Sequence, residues 1–129
     1  MSPKIIKLAQ DVLNIEANEI LKASDKISNE FSDAVECILR CEGRVILSGI
    51  GKSGHIAGKI ASTLSSTGTP SFFMHPGEAS HGDLGMITEK DIVIFLSNSG
   101  ESQELILLVP LIKRIGAKII SITGDTNST

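Results

Sequence analysis

Apolar residues recur at helical spacing through the first forty residues of the chain. No glycine occurs between Pro3 and about Arg40, and the recurring apolar positions are Ile5, Leu8, Val12, Ile15, Ile20, Ile27, Phe31, Val35 and Ile38. This pattern predicts one long amphipathic helix or two helices, with a break near Ser24, which can cap the second helix. We expect this helical arm, residues 1–42, to pack on the rest of the protein or on a partner subunit, and we favour the partner subunit.

From Gly43 onward, short apolar runs alternate with glycine-containing loops and helical segments. The predicted strands are 44–48, 71–74, 92–96 and 118–123, and the predicted helices are about 55–66 and 101–115. The run at 92–96 contains no polar residue, which is typical of a strand buried on both faces of a parallel sheet. Pro110 should kink or restart the last helix. Because strands alternate with helices, residues 43–129 should form a three-layer, doubly wound α/β domain around a parallel sheet.

The chain ends in another loop of glycine and hydroxyl residues, 124–129. In a doubly wound fold a helix should follow such a loop. We therefore expect the chain to be a fragment of a longer protein, with an α/β domain that is incomplete at its carboxyl end.

Composition and charge narrow the classes of function. The chain has 129 residues, of which 41% are apolar, so one domain with a real core is expected. A net charge of −3 and a pI near 5.6 argue against binding to nucleic acid or to an acidic membrane, because both require basic patches. There is no apolar run of roughly 18 residues and no signal-peptide layout, so we expect a soluble cytoplasmic protein. Cys37 and Cys41 lack a nearby histidine, which favours core packing over a disulfide or a zinc site.

Three of the four predicted strands end alike, with apolar residues giving way to Ser or Thr and then glycine. These strand ends are 47–49, 96–100 and 122–124. Glycine lets backbone amides turn toward an anion, a hydroxyl adds a donor, and the following helix contributes its positive end. A tight strand-to-helix turn needs glycine in any case, so one such loop would be ambiguous. Three together favour one shared phosphate pocket at the carboxyl ends of the strands.

The first of these loops imitates two nucleotide-binding motifs. Gly49 to Gly54 fits G-x-G-x-x-G, but the next strand ends at His75 and not at the acidic residue that would hold a ribose. A P-loop would need glycine at position 46, which is Ile46. Neither motif is complete, so Lys52 is free to serve a hydroxyl, carbonyl or phosphate of a substrate.

The loop 75–85 places four ionisable side chains between glycines. They are His75, Glu78, His81 and Asp83. The two histidines with Glu78 between them can be interpreted as a metal site, or as hydrogen-bonding loop residues. A histidine that titrates near neutrality can also move protons between sugar oxygens. His55, early in a predicted helix, is expected to be a surface or packing residue.

The order of these motifs resembles the sugar isomerase (SIS) domain, and within it the D-arabinose 5-phosphate isomerases. The resemblance runs from about residue 5 to the end, and its motifs are GIGKSGH at 49–55, STGTPS at 66–71, HPGEASHGDLG at 75–85 and SNSGESQE at 97–104. The long histidine motif is more specific than the serine loop, which SIS domains share in some form. The resemblance implies a flavodoxin-like α/β fold, a homo-oligomer that is a dimer or tetramer, and CBS domains beyond the SIS domain.

The resemblance also implies a role for individual residues. It assigns catalysis to Lys52, Glu104 and His81, and substrate binding to Ser53, Gly68, Thr69, His81, Ser97, Asn98, Ser99 and Ser102. No cofactor is required, although His75 corresponds to a reported metal contact, which suggests a divalent ion such as zinc. A further catalytic histidine of the family lies beyond Thr129, which implies that this fragment can be inactive by itself.

Residue chemistry agrees with an aldose-ketose isomerase. Moving a proton between neighbouring carbons through an enediol calls for a carboxylate base and a donor for the developing oxyanion, which Glu104 and Lys52 can supply. Glu104 can also be read as a solvated first-turn glutamate favoured by the helix dipole.

The resulting hypothesis is interconversion of D-ribulose 5-phosphate and D-arabinose 5-phosphate for synthesis of the 3-deoxy-octulosonate of lipopolysaccharide. Two alternatives stay open. One is a non-catalytic, phosphosugar-binding regulatory SIS domain, and the other is a nucleotide-binding module.

Overall fold

The computed structural model describes residues 3–129, which divide into a helical unit up to Glu36 and an α/β unit from Cys37. The sequence pattern placed this boundary after residue 42. The boundary lies earlier because Cys37, Ile38 and Cys41 pack against the core of the α/β unit. No helix within the described residues is both long and apolar enough to cross a membrane.

The helical segment consists of α1 (Pro3–Ser24) and α2 (Asn29–Leu39). The predicted break is confirmed, but Ser24 is the last residue of α1 and does not cap α2. Four residues separate the two helices, so the residue before α2 is Ser28 and not Ser24. Oγ of Ser28 accepts a hydrogen bond from the Glu30 amide at 3.3 Å. None of the residues of α1 is buried, and its exposed large apolar side chains are Ile5, Ile6, Leu8, Val12, Leu13, Ile15, Ile20 and Leu21.

The α/β unit contains a four-stranded, fully parallel sheet. Its strands are β1 (Val45–Gly49), β2 (Ser71–Phe73), β3 (Ile92–Ser97) and β4 (Lys118–Thr123), in the order β2-β1-β3-β4. The predicted strands are confirmed to within a residue at each end. Because the chain leaves β1 toward β2 and later returns to the other side of β1 with β3, the strand order reverses between β1 and β3. Ligands of open α/β sheets bind at such a crevice, outside the carboxyl ends of the strands.

Helices cover both faces of the sheet, which confirms the three-layer architecture. The helices are α3 (Gly51–Ser66), α4 (Pro76–Ala79) and α5 (Gln103–Ile115). One core cluster joins Ile46, Val93 and Phe95 of the sheet to α4 and α5, and its main helical members are Ala79, Leu105, Leu108 and Ile112. The other cluster lies on the α3 face and comprises Val45, Leu47, Ala57, Ala61, Ile92, Ile94 and Leu96. Alternate residues of β1 and β3 enter opposite clusters, which explains why these strands are apolar throughout.

Three local features differ from the sequence-based expectation. First, α3 begins at Gly51 and not near His55, because Gly54 has no side chain to obstruct the turn: a Cβ there would lie 2.7 Å from the Gly49 carbonyl oxygen. Second, the loop 75–85 contains α4 and a 3-10 helix, Asp83–Met86. Third, α5 continues through Pro110, so the restart considered for this position does not occur.

The amino ends of β1 and β3 are joined through the carboxylate of Asp91, which is buried. It accepts hydrogen bonds from the amides of Arg44 (2.7 Å) and Thr88 (2.8 Å), from the Thr88 hydroxyl (3.1 Å) and from the Arg44 guanidinium (3.2 Å). Burial by itself would raise the pKa of Asp91, but the hydrogen bonds from Arg44 and Thr88 outweigh it and hold this pKa below its ordinary value. Gly43 lies so close that a Cβ there would overlap with Asp91 Oδ1.

Candidate functional site

A cleft of about 410 Å³ lies at the carboxyl ends of β1, β3 and β4. Its lining residues come from the first turns of α3 and from the last residues of β3 and β4 with the residue after each, and they are Lys52, Ser53, Ile56, Leu96, Ser97, Asn98, Ile122, Thr123 and Gly124. Two of the three glycine and hydroxyl segments singled out in the sequence, 96–100 and 122–124, therefore share this cleft, whereas the segment 47–49 does not line it and the helix after it contributes Lys52, Ser53 and Ile56 instead. Four of the candidate site residues line it: Lys52, Ser53, Ser97 and Asn98.

The serine loop, residues 97–102, is ordered by its own polar groups. Ser97 Oγ lies 2.9 Å from Ser102 Oγ and accepts the Gly100 amide at 3.1 Å, while Ser99 Oγ accepts the Glu101 amide at 3.1 Å. Gly100 adopts a φ of +71°, which favours glycine, so the loop turns sharply at this point. Ser99 and Ser102 are thus part of the same hydrogen-bonded loop as Ser97, although they do not line the cleft.

The start of α5 leaves backbone donors for an anion. Ser102 is the residue before the helix, but its side chain makes no capping hydrogen bond and turns to Ser97 instead. The first amides of a helix have no partner within the helix, and the helix dipole is positive at this end. Together with the serine hydroxyls, these amides form the kind of setting in which proteins bind phosphate.

The two glutamates of this segment have different surroundings. Glu101 accepts two hydrogen bonds from Thr129, one from its amide at 2.8 Å and one from its hydroxyl, whose Oγ1 lies 3.0 Å from both carboxylate oxygens. Glu104 lies in the first turn of α5 and is exposed, and within the described residues no hydrogen bond or ion pair holds its carboxylate. Ile106 lines a small cavity on the β4 side of α5, and Glu104 is about 200° away around the helix. Glu104 therefore faces away from β4, toward the β1 side of the sheet.

Lys52 lies in the first turn of α3 and is exposed. Among residues 3–129 no carboxylate forms an ion pair with its ammonium group, so this cation is available to a ligand. Glu104 lies on the α5 face of the sheet and Lys52 on the α3 face, and the crevice between β1 and β3 separates them. Glu104 is not among the residues that line the 410 Å³ cleft.

Gly68 and Thr69 are not brought to this cleft within one chain. They follow α3, whose 16 residues span about 24 Å, and precede β2, so they lie at the amino edge of the sheet. Pro70 confirms this placement, because its carbonyl accepts the amide of Val45, the first residue of β1, at 2.9 Å. His81 follows α4, is exposed, and lies outside the cleft as well.

A second cavity, of about 370 Å³, lies on the other side of the first turn of α3. It is lined by Gly49, Gly51, Gly54, His55, Gly58, Phe73 and His75. The sequence predicts a surface or packing residue at His55 and does not indicate that His55 lies beside His75 in one cavity. The signal was the helical spacing of Gly51, His55 and Gly58, which places the three residues on one face of α3.

The candidate metal contact lies in this second cavity. Nδ1 of His75 accepts the Gly77 amide at 3.1 Å. Within residues 3–129, no three His, Cys, Asp or Glu side chains come together in an arrangement that would hold a metal ion. Zinc at His75 therefore stays a prediction.

Comparison with known proteins identifies the relatives of this chain. A family model described as the SIS domain matches residues 38–129. The probable arabinose 5-phosphate isomerase of Haemophilus influenzae is 49% identical over 124 residues, and the arabinose 5-phosphate isomerase KdsD of Yersinia pestis is 52% identical over 120 residues. These matches cover 96% and 93% of this chain, which spans 37% of the length of either relative.

A solved structure shows the same fold. The Escherichia coli CFT073 protein c3406, solved in complex with arabinose 5-phosphate, superposes with a TM-score of 0.94 at 41% sequence identity. The match covers 100% of this chain and 69% of that chain.

Proposed function

Because the chain belongs to the SIS domain family, we propose that it is the substrate-binding part of an arabinose 5-phosphate isomerase. The reaction is the interconversion of D-ribulose 5-phosphate and D-arabinose 5-phosphate. About 50% identity to relatives named for this activity supports the proposal, as does the similarity to a protein solved with arabinose 5-phosphate. The expected use of the product, in synthesis of the 3-deoxy-octulosonate of lipopolysaccharide, and a cytoplasmic location are parts of the same proposal.

The observation that carries the proposal is the meeting of a phosphate cradle and a free cation in one cleft. Ser97 and Asn98 come from the serine loop, whereas Lys52 and Ser53 come from the first turn of α3. A sugar phosphate needs both kinds of group, since its phosphate requires hydroxyl and amide donors and its reacting end requires a separate donor for the developing charge. In our proposal the phosphate binds at the serine loop with Ser99 and Ser102, and the carbonyl end extends toward Lys52.

The proposed chemistry assigns one task to each group. Glu104 removes the proton from the carbon beside the carbonyl, and the electron pair of that C–H bond forms the double bond of the enediol. Lys52 donates a hydrogen bond to the oxygen that gains negative charge. His81 moves a proton between the two enediol oxygens. Glu104 then returns its proton to the neighbouring carbon, which completes the exchange of aldose and ketose without a net change in atoms or charge.

The location of Gly68 and Thr69 supports assembly into a homo-oligomer. If they bind substrate, as the family resemblance implies, they must approach the cleft of another copy, because within one chain they lie at the opposite edge of the sheet. The exposed apolar side chains of α1 offer a surface for such contacts, since exposed apolar side chains that cluster on one helix are typical of interaction sites. A strictly monomeric protein at micromolar concentration in analytical ultracentrifugation would contradict this part of the proposal.

The decisive experiment compares the two neighbouring glutamates. Residues 1–129 are joined to the remaining residues of the Yersinia pestis relative, so that the assay does not depend on the length of the chain, and turnover of D-arabinose 5-phosphate is measured. We expect Glu104→Gln to lower kcat about 100-fold to 10,000-fold, the range for loss of a general base. Glu101→Gln is the matched control and should keep kcat within a few-fold, because Glu101 is bound by Thr129. Wild-type turnover by the Glu104→Gln chimera would refute the assignment of the base.

The regulatory alternative predicts a different outcome of the same assay. A chimera that binds D-arabinose 5-phosphate but does not isomerise it would favour a phosphosugar sensor. A nucleotide-binding module would instead be stabilised thermally by NAD or ATP and not by pentose phosphates. The names of relatives at about 50% identity favour the isomerase over both.

A further inference from the structure

The imidazole of His75 is held in one orientation by two neighbours. Its Nδ1 accepts the Gly77 amide at 3.1 Å, which caps the first turn of α4. Its ring also meets the Phe73 ring edge to face, with centroids 6.4 Å apart and planes inclined by 76°. A Cβ at position 77 would lie 3.1 Å from Nδ1, so the absence of a side chain at Gly77 is what lets the ring approach the helix.

The capping hydrogen bond determines which nitrogen carries the proton. A neutral imidazole has one N–H donor and one acceptor nitrogen. Because Nδ1 accepts the Gly77 amide, its lone pair is occupied and the proton is assigned to Nε2. A flipped ring would place a carbon against the amide and would forfeit the bond, so only one orientation is compatible with the cap.

This tautomer is the wrong one for a metal ligand. A histidine that binds a metal through Nε2 has its proton on Nδ1, which it donates to a carboxylate, a carbonyl or water. Here Nδ1 faces a donor, the Gly77 amide, so a metal at Nε2 would require the cap to break. The cavity also lacks counter-charge, because no Asp, Glu or Cys of the described residues lines it beside His55 and His75.

We propose that His75 uses its Nε2–H to donate a hydrogen bond to a sugar oxygen in the glycine-walled cavity, and that it is not a zinc ligand. With Nδ1 turned to α4, the opposite edge of the ring is the edge available to the cavity. The glycines at positions 49, 51, 54 and 58 leave space for a polyol chain to approach the backbone. Gly51 borders this cavity, and its neighbour Lys52 borders the cleft with Ser97. The identity of the ligand as a phosphosugar rests on the proposed function, whereas the tautomer does not.

The first test addresses the tautomer and zinc, and it does not depend on any enzymatic activity. Long-range ¹H–¹⁵N spectra of histidine-labelled protein should assign the proton of His75 to Nε2. Titration calorimetry with zinc chloride should give the same affinity and stoichiometry for the wild type and for His75→Ala. A proton on Nδ1, or a zinc site that disappears in His75→Ala, would overturn the assignment.

The second test separates the cap from the donor. His75→Asn keeps a side-chain acceptor of the kind preferred before a helix but removes Nε2–H, whereas His75→Ala removes both. We expect His75→Asn to retain the Tm of the wild type and to bind D-arabinose 5-phosphate roughly ten-fold more weakly. His75→Ala should lose both stability and affinity. Wild-type affinity in His75→Asn would refute the donor role.

Inorganic phosphate serves as the control ligand, because it should engage the serine loop alone. Its affinity should be the same in the wild type and in His75→Asn. If the wild type binds phosphate but not D-arabinose 5-phosphate, both the proposed function and the hydrogen bond from His75 to a sugar oxygen are wrong. The NMR and zinc measurements still decide whether the proton lies on Nε2 and whether His75 binds zinc.

Discussion

Replacement of Asp91 by asparagine tests how the amino ends of β1 and β3 are held together. An asparagine whose carbonyl takes the place of Oδ1 still accepts the Arg44 amide. Its NH₂ group then faces the three donors that Oδ2 accepts, which are the Thr88 amide, the Thr88 hydroxyl and the Arg44 guanidinium. At about 1 kcal/mol for each lost hydrogen bond, the free energy of unfolding should fall by about 3 kcal/mol.

Urea unfolding followed by circular dichroism would measure this loss, and its pH dependence would identify the cause. The pKa of Asp91 is held below its ordinary value in the folded state, so the carboxylate stabilises the fold above about pH 4, the ordinary range of aspartate. That stabilisation is lost as the pH falls through the lowered pKa. The difference between the wild type and Asp91→Asn should therefore be constant from about pH 7 to about pH 5 and shrink below about pH 4.

Glu42→Gln is the matched control for a nearby carboxylate. Glu42 pairs with Lys90 at 3.7 Å, and both side chains are largely exposed, so the free energy of unfolding should change by less than about 1 kcal/mol. If Asp91→Asn also cost less than about 1 kcal/mol, or if its cost did not depend on pH below about 4, the reasoning about the buried carboxylate would be wrong.

Further substitutions test the backbone contacts and the serine loop. Gly54→Ala should lower the free energy of unfolding by about 2 kcal/mol in thermal unfolding, because its Cβ would lie 2.7 Å from the Gly49 carbonyl oxygen. Gly58→Ala is the control and should be tolerated, because its Cβ would lie 3.9 Å from the nearest neighbouring atom. Equal losses of stability in the two variants would contradict this reasoning. Within the described residues, the buried side-chain oxygen that lacks a hydrogen-bond partner is Oγ of Ser48. Ser48→Ala should therefore raise the Tm or leave it unchanged. A lower Tm would show that this hydroxyl has a hydrogen-bond partner after all. Ser102→Ala breaks the 2.9 Å hydrogen bond to Ser97 within the serine loop. The affinity for inorganic phosphate in calorimetry should fall roughly ten-fold, with little change in Tm. An unchanged affinity would show that this hydrogen bond does not order the loop.

The strands could be predicted from the sequence because β1 and β3 are buried on both faces and are therefore apolar throughout. The start of α3 could not, since it depends on how closely Gly54 approaches the carbonyl of Gly49. Nor could α4, because four residues are too few to show a helical period. The start of α3 depends on a close approach between backbone atoms, and α4 is too short to repeat a pattern. The spacing of apolar residues along the sequence indicates neither.

The candidate site also has one part that could be predicted from the sequence and another that could not. The shared cleft of Lys52, Ser97 and Asn98 follows from the rule that parallel strands present their carboxyl ends at one edge. The placement of Gly68 and Thr69 could not be predicted in this way. A sequence motif identifies the residues but does not say whether they lie at the amino ends or at the carboxyl ends of the strands. The proton on His75 likewise depends on one backbone amide at 3.1 Å.

The order of the strands leaves β2 at one border of the sheet, and this strand has only three residues. A border this short offers few free backbone N–H and C=O groups, so a foreign strand finds little to pair with on this side of the molecule. The shortness of β2 therefore protects this border of the sheet against edge-to-edge aggregation.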